Sequence, residues 1–169
     1  MYARPIVYKG TLPGKWSDLL TRFSALHDLN LKTTDSLEEV HAIVNRAFPA
    51  CLVLDGDSGQ EESLSLCSDL KKDPFTAIVP IVVLLVSDDT DLISDWLAAG
   101  ADEVVTASQT SREQDLRLGL VIRRAQRDVA VHPTTRLPGT VQIERNISDR
   151  LKTGEAFAVC YADLDNFKE

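Results

Sequence analysis

The 169 residues contain no stretch able to cross a bilayer, no paired set of cysteines and no run of basic side chains. The longest apolar run, Ile78 to Val86, includes Pro80 and falls far short of the roughly 20 residues that a spanning helix requires. Met1 to Gly10 lack the apolar core of an export signal. These absences predict a cytoplasmic protein with no membrane segment. Cys51, Cys67 and Cys160 are odd in number and widely spaced. That excludes a disulfide framework or a zinc knuckle and leaves reduced thiols. His27, His41 and His132 are scattered, with no carboxylate or cysteine at ligand spacing. There are 18 Lys and Arg against 26 Asp and Glu, a net charge of -8. Nucleic acid and anionic membranes are therefore not expected partners.

What is present is the material of a packed globule. The apolar fraction is 44%, and a chain of this size can bury roughly two-thirds of its unfolded surface without a metal or disulfide. Ile6 to Tyr8 read as a first strand, ending at Lys9-Gly10. Trp16, Leu19, Leu20, Phe23 and Leu26 recur at three- and four-residue spacing and form one helical stripe. Leu29 to Thr33 make a second strand. Asp35 or Ser36 caps a helix carrying Leu37, Val40, Ile43 and Val44, which Pro49 ends. Cys51 to Leu54 are continuously apolar, as a fully buried parallel strand reads. Ser63, Leu64, Leu66 and Leu70 follow on a helix broken at Asp73-Pro74.

Ile81 to Val86 form the strongest strand. Asp88, Asp89 and Thr90 open a helix with Leu92, Ile93, Trp96 and Leu97, and Gly100 closes it. Val104 and Val105 lie on a fifth strand. Thr110 or Ser111 caps a last helix, with Leu116, Leu120, Ile122 (or Val121), Ala125 and Val129 on its apolar face. Five strand–helix repeats predict a doubly wound α/β fold with a five-stranded parallel sheet.

Beyond Pro133 the pattern changes. Val141, Ile143, Ile147 and Leu151 suggest an amphipathic helix, and Phe157 to Tyr161 a buried strand ending at Asp163. A helix and one strand do not complete an α/β domain. A second domain is expected to begin near His132 and to be incomplete at Glu169.

Three segments carry a family resemblance: Asp55-Gly56-Asp57, the strand from Pro80 to Val86, and Ala98 to Glu103 with its Gly-Ala-Asp stretch. Together they resemble a response-regulator receiver domain (CheY-like, flavodoxin-like) over residues 1 to 127, with a connector helix extending to about Val131. The resemblance implies a site at the carboxyl ends of the strands, with Asp55 at the phosphoacceptor position. That chemistry uses Mg²⁺, a hard cation that wants oxygen ligands, with a cation to balance the acyl phosphate and a hydroxyl to read it. Here the expected acidic pair falls on Tyr8, Lys9 and Gly10. The expected lysine falls on Ala107. The expected hydroxyl falls near Leu85 or Val86, with Ser87 one or two residues out of register. The reading is a pseudo-receiver with no metal and no phosphorylation of Asp55, in which Lys9 pairs with Asp55 in the metal's place.

The tail resembles a second family. His132 to Gly139, and Tyr161-Ala162-Asp163-Leu164-Asp165-Asn166-Phe167-Lys168, resemble the opening and first catalytic strand of a GGDEF (diguanylate cyclase) domain. Residues 132–169 would be its N-terminal fragment, adding part of an α/β GGDEF domain to the fold. The resemblance implies that Asp163 binds a divalent metal with the Leu164 backbone beside it, and that Phe167 and Lys168 lie near nucleotide phosphates. Mg²⁺ and GTP would serve a full-length parent cyclase. The GGDEF signature itself is absent, so this fragment is expected to be no enzyme and to carry no cofactor.

The role expected from the two resemblances is a regulatory and dimerisation module in bacterial signal transduction, linked to cyclic di-GMP output. Its partners would be a second copy or an intramolecular output domain. The alternative is a phosphorylatable receiver of a two-component system, with a histidine kinase as partner and Asp55 as acceptor. Trp16 and Trp96 each lie on an apolar helix face and are expected in the core. Any dimer face is expected on the helices flanking strands four and five, where Leu92 and Trp96 would be exposed if they are not core.

Overall fold

The computed structural model describes residues 4–130, 140–154 and 156–162. The chain divides into two units, Met1–Asp128 and Val129–Glu169. In the first unit β1 (Ile6–Lys9), β2 (Leu31–Thr34), β3 (Cys51–Asp55), β4 (Ile81–Leu85) and β5 (Glu103–Thr106) alternate with helices. These are α1 (Ser17–Leu26), α2 (Leu37–Ala47), α3 (Gln60–Lys72), α4 (Thr90–Ala98) and α5 (Ser111–Ala130), which runs past the end of the unit at Asp128. All strand pairs are parallel, in the order β2-β1-β3-β4-β5. The direction of winding reverses at β1 and β3. In such sheets the carboxyl ends of the two strands flank the crevice where ligands bind.

Strand alternation sorts the core into two layers. Val7, Leu52, Leu54, Ile81, Val83, Leu85 and Val104 pack with α2, α3 and α4 through Val40, Val44, Leu66, Leu70 and Trp96. Ile6, Tyr8, Cys51, Val53, Val82, Leu84 and Val105 pack with α1 and α5 through Leu19, Leu20, Phe23, Leu118, Val121 and Ile122. The caps follow local chemistry. Ser36 Oγ accepts from the Glu39 N–H, Asp89 from those of Asp91 and Leu92, and Thr110 from that of Glu113.

Several expectations need correction. Leu26 ends α1 on the solvent side, 65% exposed, because the α1 stripe is already completed by Leu19, Leu20 and Phe23. β4 stops at Leu85, and Val86 is exposed beyond it. On α5 the buried face is Leu118, Val121 and Ile122, whereas Leu116 and Leu120 face water. Trp96 is fully buried against the sheet, as expected of a core residue. Leu92 is partly buried against the same layer.

The second unit contains α6 (Thr140–Thr153). Ile143 and Leu151 are exposed on it. The expected strand over Phe157 to Tyr161 does not form: residues 156–162 have no regular structure, and Val159 and Tyr161 are exposed. A strand needs a neighbour to take its backbone hydrogen bonds, and the described residues of this unit supply none. The second-domain site residues Asp163, Leu164, Phe167 and Lys168 lie outside the described residues.

Candidate functional site

The crevice at the carboxyl ends of β1 and β3 is a cavity of about 320 Å³. Tyr8 and Lys9 line it from β1, Thr11 and Lys15 from the following loop, and Asp35, Asp55 and Ser58 from the β2 and β3 ends. Asp55 is partly buried at the last position of β3. Its Oδ1 accepts the Asp57 N–H at 3.1 Å, and its Oδ2 accepts the Tyr8 and Ser58 hydroxyls, each at 3.4 Å. The Tyr8 ring is buried (1% exposed) and lies over Gly10, where a Cβ would stand 2.5 Å from the ring. Burial raises the Tyr8 pKa, and the Asp55 carboxylate raises it further by opposing a phenolate beside it.

Lys9 does not pair with Asp55. Its Nζ donates to Ser63 Oγ on α3 at 3.1 Å. Successive residues of β1 point to opposite faces. Tyr8 therefore joins the α1/α5 layer, on the side of Asp55, and Lys9 turns toward α3. The cation that reaches the acidic loop is Lys15, 3.8 Å from Asp57 Oδ2. Asp57 Oδ2 also accepts the Val86 N–H at 3.0 Å. The roles of Tyr8 and Lys15 were not legible in the sequence. The parity of β1 was the signal available for Tyr8.

At the β4 and β5 ends no lysine and no free hydroxyl faces Asp55 among the described contacts. Leu85 is buried in the sheet. Ser87 Oγ accepts the Asp89 N–H in a local turn. Ala107 donates its N–H to the Leu85 carbonyl, extending the ladder. Ser108 Oγ donates to Asp88 at 2.7 Å and shares a 3.0 Å hydrogen bond with Thr106 Oγ1. Hydrogen bonds from Thr106 and Ser108 lower the Asp88 pKa.

The comparisons with known proteins agree on the architecture. No family model matches the chain. Over 90 residues it is 29% identical to the phosphate regulon transcriptional regulatory protein PhoB of Pseudomonas aeruginosa, a match covering 53% of this chain and 39% of PhoB. The chain thus spans about two-fifths of that curated relative. A putative response regulator from Chloroflexus aurantiacus superimposes with a TM-score of 0.62 at 17% identity, covering 72% of this chain and 99% of the other. The signal receiver domain of a histidine kinase from Syntrophus aciditrophicus gives 0.60 at 18%, covering 80% and 98%. The receiver domain of sensor histidine kinase PA1611 from Pseudomonas aeruginosa PAO1 gives 0.59 at 12%, covering 72% and 98%. That last structure holds a magnesium ion in its active-site cleft. The first unit therefore has the fold of response-regulator receiver domains.

The residues present do not fit such a metal. Mg²⁺ takes carboxylates and water in near-octahedral geometry. The β1 end offers a phenol committed to Asp55 and an ammonium. Among the described residues no group of three or more His, Cys, Asp and Glu is placed to hold a metal ion. Among them too, no helix is long and apolar enough to cross a membrane.

Proposed function

We propose that the first unit is a pseudo-receiver: a regulatory module of bacterial signalling that does not run metal-dependent phosphorylation at Asp55. The observation that supports this reading is the Tyr8 hydroxyl on Asp55, at the strand end where a metal site needs carboxylates. Lys9, turned onto Ser63, provides no substitute ligand. The module would act through packing against a second copy or an output domain. The resemblance of residues 132–169 to a GGDEF opening supports cyclic di-GMP signalling as that output. The metal and nucleotide roles at Asp163, Leu164, Phe167 and Lys168 belong to the same proposal, in a full-length parent.

The test is an amide NMR titration of the 169-residue chain with Mg²⁺ and then beryllofluoride, which mimics an acyl phosphate. No specific shift is expected around Asp55 up to about 10 mM Mg²⁺, because Asp55 already accepts three hydrogen bonds and the β1 end supplies no carboxylate. Saturable shifts at residues 55–59 that spread to Ser87 and Val104 would restore the phosphorylatable receiver.

A further inference from the structure

We propose that the Asp57 carboxylate is a built-in anion that holds the β4–α4 junction in one fixed position without any added group. This rests on the pseudo-receiver reading and concerns how the same crevice is regulated. Three elements meet at this one side chain. Asp57 itself follows β3. Its Oδ2 accepts the backbone N–H of Val86, the first residue past β4, at 3.0 Å. The same oxygen lies 3.8 Å from Lys15 Nζ, on the loop leading into α1. The Asp57 backbone N–H is in turn bonded to Asp55 Oδ1 at 3.1 Å, which fixes the turn that aims the carboxylate.

The Val86 N–H is the point that matters. β4 ends at Leu85, so Val86 lies past the strand, and Asp57 is the partner its N–H has among the described residues. Three residues later Asp89 caps α4, with Ser87 Oγ accepting the Asp89 N–H between them. Whatever fixes Val86 therefore fixes the start of α4. A charged acceptor is the strong kind of hydrogen-bond partner for a backbone donor. In a receiver that switches, an anion at this crevice would have to arrive and leave. Here one is part of the chain, so the junction is set permanently and the module acts as a fixed adaptor.

The experiment is amide hydrogen exchange on the 169-residue chain, comparing wild type with Asp57→Ala and Lys15→Met. In Asp57→Ala the Val86 amide is expected to exchange at least about tenfold faster, while buried β4 amides such as Val83 keep their protection, because the opening is local. Residues 87–91 should shift in the same spectrum. Lys15→Met should give a smaller acceleration of the same amide. If Asp57→Ala does not fold, Asp57→Asn keeps the shape and removes the charge, and should still speed Val86 exchange. Val86 exchange within about twofold of wild type in a folded Asp57 variant, or unmoved 87–91 resonances, would overturn the latch. A wild-type response to beryllofluoride would instead overturn the underlying reading, so the two failures are distinguishable.

Discussion

The two ends of the sheet are built differently. At the amino ends of β4 and β5, one lysine ties three segments together. Lys71 Nζ, from α3, donates to the carbonyls of Ala77 and Val79 at 3.0 and 2.9 Å and pairs with Asp102 at 2.7 Å. Asp102 Oδ2 also accepts the N–H of Ile81, the first residue of β4, at 2.7 Å. Gly100 permits this closure: its φ is +101°, and a Cβ there would stand 3.0 Å from the Lys71 side chain. At the carboxyl ends the contacts are longer and more exposed, between Asp55, Tyr8, Ser58, Asp57 and Lys15. The Gly-Ala-Asp stretch that carries much of the family resemblance thus belongs to the mechanical end. The residues at which the sequence differs from the receiver pattern, Tyr8 to Gly10 and Ala107, lie at the carboxyl end. A likeness in such motifs reports how the sheet is assembled, and the reactive end must be examined residue by residue.

Breaking the mechanical end should cost most. Lys71 is only 15% exposed. Lys71→Met leaves two carbonyls and a carboxylate without their cation, and should destabilise the unit by about 3 kcal/mol. Urea unfolding followed by circular dichroism measures it. A loss below about 1 kcal/mol would mean that water replaces the staple. Gly100→Ala should cost about 1–2 kcal/mol from the positive φ and the close Lys71 stem. It is read in the same assay and should not sum with Lys71→Met, because the two share the contact.

Tyr8→Phe should cost least, at most about 1 kcal/mol, since the lost bond is long and Asp55 keeps two other donors. Its signature is in alkali. The folded Tyr8 pKa lies above the ordinary 10.0, so the unfolded chain releases this proton first and stability falls as pH rises past that value. Burial likewise pushes Cys51 up to about 12 and Cys67 up to about 11, from 9.0, so their contribution is lost from pH 9 upward. Tyr8→Phe should therefore retain the thiol part of the alkaline loss and shed the phenol part. A titration of the melting temperature between pH 8 and 11 checks this; equal alkaline slopes in both proteins would contradict the placement of the hydroxyl.

The order of elements was legible because β3 and β4 are continuous apolar runs of strand length, and because Pro49, Asp73-Pro74 and Gly100 punctuate the chain around them. The buried face of α5 was less so. Leu116 and Leu120 form as good an i, i+4 pair as Leu118 and Ile122, and only the sheet decides between them. The same limit applies to the crevice. That residues 8, 9 and 55 would meet at neighbouring strand ends follows from the topology. That the phenol and not the ammonium would take Asp55 depends on strand parity and on α3 presenting Ser63. The tail misled for another reason, since an apolar run makes a strand only when a ladder partner is at hand.

The aromatic ring folded over Gly10 restricts which side chains residue 8 can accept. Residue 8, at the β1 end, is a buried phenol packed in the α1/α5 layer. An acid placed at residue 8 alone would empty the space of that ring and set a charge within its apolar lining, a cost of several kcal/mol. The surroundings that shelter the ring would have to change with it, so the ring and its lining can be exchanged only together.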